Sequence, residues 1–174
     1  MKRICLFVGL FCALLFTIGC TSKKPSSTEH ERDMQSQQNA PLLPTVNVHA
    51  GENPAFTIIG QSCWEEDEKS CAVSFEDPDK LLAETPNTKA KVNDSISFVL
   101  SSDNPERNHH LLEPDDIRFE VIQFHKGEQQ NLGNVGPSFQ GPKEPGLYQY
   151  LATLTWEGET KGQTNVAFSF VFQD

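Results

Sequence analysis

The sequence predicts an all-β fold for residues 45–174, an antiparallel β-sandwich with one short helix, and three observations predict it. Apolar and polar residues alternate at period two through most of that stretch. Clusters of Gly, Pro, Asn, Asp and Ser separate the alternating runs. Only one segment reads as helix. About seven short strands in about 130 residues is sandwich spacing.

Each element follows from its own residues. Residues 45–49 alternate as Thr-Val-Asn-Val-His, a first strand. Residues 55–63 (AFTIIGQSC) form a second, and residues 72–75 (AVSF) a third. Asp77 can cap a helix over residues 78–84, with Pro78 at its first position and Pro86 ending it. Residues 95–101 (SISFVLS) place Ile96, Phe98 and Leu100 on one face. Residues 118–124 (RFEVIQF) begin with Phe119 and Val121 inward, then change phase at Ile122 and Phe124, which predicts a bulge.

The C-terminal hairpin is the clearest unit. Tyr148, Tyr150, Ala152, Leu154 and Trp156 share one face of its first strand. Val166, Phe168, Phe170 and Phe172 line the return strand, with Ala167, Ser169 and Gln173 opposite. A polar loop at residues 157–162 joins them. The run Pro145-Gly146-Leu147-Tyr148-Gln149-Tyr150 resembles the entry to late strands of immunoglobulin-like domains. That resemblance makes the expected sandwich immunoglobulin-like.

The N-terminus carries an address. Lys2 and Arg3 precede an apolar run over residues 4–19. Its sixteen residues span about 24 Å as helix, short for a hydrocarbon core of about 30 Å. A basic start and a short apolar run make a secretory signal. Thr17-Ile18-Gly19-Cys20 resembles the lipobox of bacterial lipoproteins, with Thr17 where that pattern usually has Leu. The resemblance implies that residues 1–19 are removed as a signal peptide. It also implies that Cys20 receives a diacylglycerol thioether, which carries two acyl chains such as palmitate. Two chains on one Cys suffice for stable anchoring. The alternatives are a plain signal peptide cut elsewhere and an uncleaved anchor.

Residues 20–44 are rich in Ser, Thr, Gln and Pro and lack periodicity, so they are expected to be a disordered tether. Flexible, they reach about 25–30 Å. Lys23, Lys24 and Arg32 balance Glu29, Glu31 and Asp33 there. The whole chain has 14 basic and 24 acidic residues and a net charge of −10. Removing Lys2 and Arg3 leaves 12 against 24, a charge of −12 that falls entirely on the domain. Such a balance argues against nucleic acid as the main partner. Phosphate-binding glycine loops, zinc-protease and serine-hydrolase motifs are missing from the sequence, and no cofactor is expected.

Five cysteines are present, and Cys63 and Cys71 are the pair left in the exported domain. They flank Trp64 and an acidic run at residues 65–68. A disulfide there closes a nine-residue loop, worth about 2.6 kcal/mol in the chain-entropy model. Pairing of the second and third strands is expected to bring the two together. Free thiols and metal or redox work are the alternatives. Gln61-Ser62-Cys63-Trp64, the following Cys71, and Pro78, Leu81 and Leu82 resemble a motif in small exported proteins of Bacillus and its relatives. That resemblance implies an exported lipoprotein and carries over no catalytic residue.

Metal-capable residues crowd only at His109 to Asp116, where His110 and Glu113 share a face if the stretch is helical. A solvated loop is the plainer reading. The acids Glu76, Asp77 and Asp79 lack a calcium-loop pattern and read as helix capping. Trp64, Tyr148, Tyr150 and Trp156 invite comparison with a carbohydrate platform, but period-two aromatics on a core strand belong in the core.

The expected function is a non-enzymatic binding or interaction module. It would sit on the extracytoplasmic face of the cell membrane, held by the lipid on Cys20, and engage an envelope protein or ligand. Two alternatives are an envelope enzyme or metal-handling protein using the His109–Asp116 loop, and a structural envelope-assembly protein.

Overall fold

The computed structural model describes residues 44–64 and 71–174. The expected signal segment, Cys20, residues 21–43 of the tether and the acidic run at 65–68 lie outside the described residues. Among the described residues ten strands form in order: β1 Thr45–Ala50, β2 Asn53–Pro54, β3 Thr57–Trp64, β4 Thr88–Lys91, β5 Ser95–Ser101, β6 Ile117–His125, β7 Glu128–Asn134, β8 Ser138–Gln140, β9 Gly146–Glu157 and β10 Lys161–Gln173. Two one-turn helices interrupt them, α1 Pro78–Leu81 and α2 Pro105–Asn108, with 3-10 turns at His109–Leu111 and Pro114–Asp116.

The strands make two sheets, so the all-β sandwich holds. The smaller runs β2-β1-β5-β8, and the larger β3-β10-β9-β6-β7. Every pair is antiparallel but one: β4 lies parallel to β10, pairing with Phe170 to Gln173. The inner faces meet in one core. Val46, Val48, Ile96 and Phe98 come from the smaller sheet, and Phe119, Tyr150, Leu154, Trp156, Phe168 and Phe170 from the larger. Tyr150 stacks on Phe168 with ring centroids 4.9 Å apart, and Phe98 meets Phe168 edge-on at 5.9 Å. Such aromatic pairs add about 0.5–1.5 kcal/mol beyond area burial.

The hairpin faces as its alternation predicts. Tyr148, Tyr150, Ala152, Leu154 and Trp156 are buried, as are Val166, Phe168, Phe170 and Phe172. Its outer face departs from expectation. Leu151, Ala167, Ser169 and Asn165 are buried too, because another layer lies over them. Leu82, Leu151 and Ala167 form a second small cluster, joined by Ile58, Leu81 and Phe124.

Residues 72–75 are not a strand. They cross the larger sheet as an extended segment without a ladder. The residue types suit a strand, but the side chains of Gln61, Gln163 and Asn165 hold the backbone of Val73 and Ser74 on the face of the sheet instead of at the edge of β3. The bulge is also placed differently. β6 keeps an unbroken register with β9 from Ile117 to Phe124. The step falls opposite, where Val121 pairs with Gly133 and Ile122 with Asn131, so the extra residue is Leu132 of β7. Ile122 and Phe124 are apolar because the outer face they occupy is covered or apolar.

Four strands and a helix escape the sequence pattern. β2, β4, β7 and β8 are short or polar and lie at sheet edges, where charged and polar residues discourage unwanted pairing. The β6–β7 turn is Lys126-Gly127, both at positive φ, as a two-residue hairpin of this hand requires. α2 follows the same rule as α1. Asn104 Oδ1 accepts from the Arg107 amide at 3.2 Å and Pro105 takes the first helical position.

Candidate functional site

The outer face of the larger sheet is where side chains and shape depart most from structural need. It is built from β3, β10, β9 and β6, with residues 71–77 laid across it as a strap. Because the strap has no ladder, sheet-borne side chains satisfy its backbone. The Val73 amide donates to Gln163 Oε1 at 3.1 Å, and the Ser74 amide to Gln61 Oε1 at 3.1 Å. Asn165 Nδ2 donates to Ser74 O at 2.7 Å and to Glu76 Oε2 at 3.0 Å. Glu76 Oε2 also accepts from the Gln61 amide at 2.6 Å. Thr153 Oγ1 donates to Asn165 Oδ1 at 2.9 Å. Asn165 is 1% exposed, so this network is what permits a buried amide in the outer layer.

The strap is fixed at both ends. At its start Cys71 is bridged to Cys63 on β3, with Cα atoms 5.7 Å apart, within the normal disulfide range. The bridge is therefore present, but it joins β3 to the strap rather than two paired strands. At its end Asp77 caps α1, its Oδ1 accepting from the Asp79 amide at 3.1 Å. Leu82 then enters the outer cluster.

Two clefts flank the strap. The first, of about 260 Å³, lies at the hairpin end and is lined by Cys71, Thr155, Glu157, Lys161 and Gln163. Thr155 Oγ1 is buried there without a hydrogen-bond partner among the described residues. Arg118 pairs with Glu157 at 3.4 Å. The second, of about 400 Å³, lies between α1 and the β6–β7 turn, lined by Asp79, Phe124, His125, Lys126, Gly146 and Leu147. His125 stacks on Tyr148 at 3.9 Å, and its Nδ1 lies 2.8 Å from Leu147 O, so Nδ1 carries the proton. Gly146 has φ +151°, and a Cβ there would meet His125 Cε1 at 2.7 Å. Glycine thus lets the imidazole close down on the strand.

Beside the second cleft the surface is apolar. Phe75, on the strap, is 60% exposed, and its ring centroid is 6.3 Å from Phe124. Leu147 is 44% exposed and sits opposite half-buried Val171. Clustered exposed apolar groups around a cleft mark an interaction surface more than scattered ones do.

The other candidates fall elsewhere. Trp64 is half-buried, its ring 5.0 Å from Trp156, and glycine at position 162 leaves the space its indole fills. Trp156, Tyr148 and Tyr150 are buried in the core and offer no stacking platform. Burial raises the Tyr150 phenol well above its usual range, with Tyr148 adding to it; burial, then Glu144, raises Tyr148. Both therefore stay protonated near neutral pH. His110 is half-buried within the 3-10 turn His109–Leu111, and Glu113 is exposed beyond its end. Among the described residues no group of three or more His, Cys, Asp or Glu converges to hold a metal. The His109–Asp116 stretch is not a plain solvated loop. Leu111 is fully buried, and its carbonyl accepts from Trp156 Nε1 at 3.0 Å.

Phe75, Phe124 and Leu147 escape sequence reading as a site. The signal was the change of phase at Ile122 and Phe124, which marks an apolar outer face beside a register step carried by β7. Compared with protein-family models, curated proteins and solved structures, the chain matches none of them. Fold and surface define a β-sandwich whose larger sheet carries a disulfide-stapled strap and an apolar patch.

Proposed function

We propose that this chain is a membrane-anchored extracytoplasmic lipoprotein whose sandwich works by binding an envelope partner rather than by catalysis. The patch of Phe75, Phe124 and Leu147 around the larger cleft carries the binding reading. Export is supported by the apolar run at residues 4–19, by the lipobox-like Thr17 to Cys20, and by a disulfide, which persists outside the reducing cytosol. Lipidation of Cys20 would hold the domain at the membrane, and the tether would let it search about 25–30 Å of space. The immunoglobulin-like reading of the sandwich has support in strand order. The chain places β5 in one sheet, β6 and β7 in the other, β8 back in the first, and β9 and β10 in the second.

Two measurements test the proposal. Labelled palmitate should mark the parent protein and not Cys20→Ala; equal labelling would remove the anchor. In-cell crosslinking should give a discrete adduct that Phe75→Asp combined with Leu147→Asp abolishes. Val99→Asp, at an exposed apolar position on the smaller sheet, should leave that adduct intact. Loss of the adduct in both variants would take the binding function away from this patch.

A further inference from the structure

The Cys63–Cys71 bridge holds down a segment that the sheet itself does not pair. Residues 71–77 have no ladder partners, and the main-chain bonds of Val73 and Ser74 run to the side chains of Gln61, Gln163 and Asn165. Both cysteines are half-buried, so neither sulfur is sealed in the core. The cleft of about 260 Å³ at the hairpin end is lined by Cys71, and Cys63 is not among its lining residues. Lys161 and Glu157 share that lining, a cation and an anion. The acidic run separating the two cysteines in sequence conceals these neighbours, which only the fold brings near.

We propose that the bridge is an exchangeable staple, with Cys71 as the sulfur that a small thiol attacks through this cleft. The thiol gives its proton to solvent, and its thiolate attacks Cys71 Sγ. A mixed disulfide forms on Cys71, the bond between the two Sγ atoms breaks, and Cys63 leaves as a thiolate that solvent protonates. A second thiolate then attacks the mixed disulfide. It bonds to the first thiol's sulfur to give an oxidised small disulfide, the bond to Cys71 Sγ breaks, and Cys71 leaves as a thiolate that solvent protonates, so both cysteines are reduced. Attack selects Cys71 because exchange depends on which sulfur is accessible. Opening the bridge frees one end of the strap. Only main-chain bonds to three side chains then hold that end, so residues 71–77 lift while the sandwich beneath stays closed. Phe75 rides on that segment, which makes the apolar patch depend on the redox state of the bridge. The exchange chemistry does not rest on the binding reading, and its test reads no partner.

The experiment uses the purified chain and 2-mercaptoethanol as the probe thiol. Samples are acid-quenched at intervals and alkylated. Peptide mass spectrometry then locates the adduct, and hydrogen exchange is followed in parallel. The mixed disulfide should accumulate on Cys71 about tenfold over Cys63. The amides of Val73 and Ser74 should lose protection at the rate at which the bridge opens, while those of β9 and β10 keep theirs. The Cys63→Ser, Cys71→Ser double variant should show the same unprotected strap over a protected hairpin without any thiol. An adduct equally shared or favouring Cys63 would overturn the assignment of the attacked sulfur. Strap amides that stay protected after opening would overturn the release. Collapse of β9 and β10 protection in the double variant would make the bridge a staple of the whole fold, not of the strap.

Discussion

The two faces of the β9–β10 hairpin are built from the same strands and held by different forces. The inner face is aromatic and dry: Tyr150, Trp156, Phe168 and Phe170 are each 1% exposed or less. The outer face is mixed. Leu151 and Ala167 are buried beside Asn165 and Ser169, while Leu147 stays exposed. Inside, stability scales with apolar area removed from water. Outside, a covering segment is held by side-chain hydrogen bonds, each worth about 0.5–1.5 kcal/mol net, and by one disulfide. The inner face therefore specifies the fold. The outer face, held by fewer apolar contacts, can give way locally without unfolding the sandwich.

The sharpest way to break this comparison is to damage the inner face. Phe170→Ala should cost about 3–5 kcal/mol, measured by denaturant titration, because the vacated volume sits in a close-packed core. A loss below about 1 kcal/mol would mean that the inner face is not what holds the fold. The inner face should also set an alkaline limit. Burial raises the Tyr150 phenol above its unfolded value of 10.0, so the unfolded chain releases that proton first. Stability should be intact below about pH 10 and fall as pH rises beyond it. Tyr150→Phe should flatten that fall, and an unchanged alkaline slope would assign it to other groups.

Next in size is the bridge. Removing both sulfurs with Cys63→Ala and Cys71→Ala should cost about 2.6 kcal/mol in the chain-entropy model, less than the inner-face substitution. A larger loss than that of Phe170→Ala would invert the comparison. Asn165→Ala follows, at about 1–3 kcal/mol, since Ser74 O and Glu76 lose their donor while partly buried. Its signature should be local: faster amide exchange at Val73 and Ser74 with little change along β9 and β6.

The inner face was legible in the sequence and the outer face was not, for a physical reason. Burial on one side of a sheet imposes period-two alternation, and Tyr148 to Trp156 and Val166 to Phe172 display it without interruption. Capping is as local, which is why Asp77 and Pro78 announced α1. The outer face obeys no period, because what covers it arrives from far along the chain. Asn165 finds Ser74 and Glu76 across 91 and 89 residues. The sequence rule that paired Cys63 with Cys71 needed only compartment and loop length, so it succeeded although the third strand it invoked does not form. Edge strands such as β7 are legible only through their turn. Gly127 was the available signal, weakened because Lys126 stands where Asn or Asp is usual.

The smallest expected effect on stability is the most informative about function. Phe75→Ser removes an aromatic ring that is already 60% exposed and touches the sheet through Phe124 alone among its ring contacts. Exposed positions of this kind usually shift stability by no more than about 0.5 kcal/mol. Leu147→Ser, at 44% exposure, belongs to the same class. If the outer face serves a partner, the two substitutions together should leave the melting transition within about 2–4 °C of the parent while removing the crosslinked adduct. A core position cannot do this, because Phe170→Ala would lower both together. The discriminating quantity is therefore the ratio of binding lost to stability lost, large for Phe75 and Leu147 and small for Phe170. Should Phe75→Ser prove as destabilising as Asn165→Ala, the ring would be part of what holds the strap, and the division between the two faces would move outward to include it.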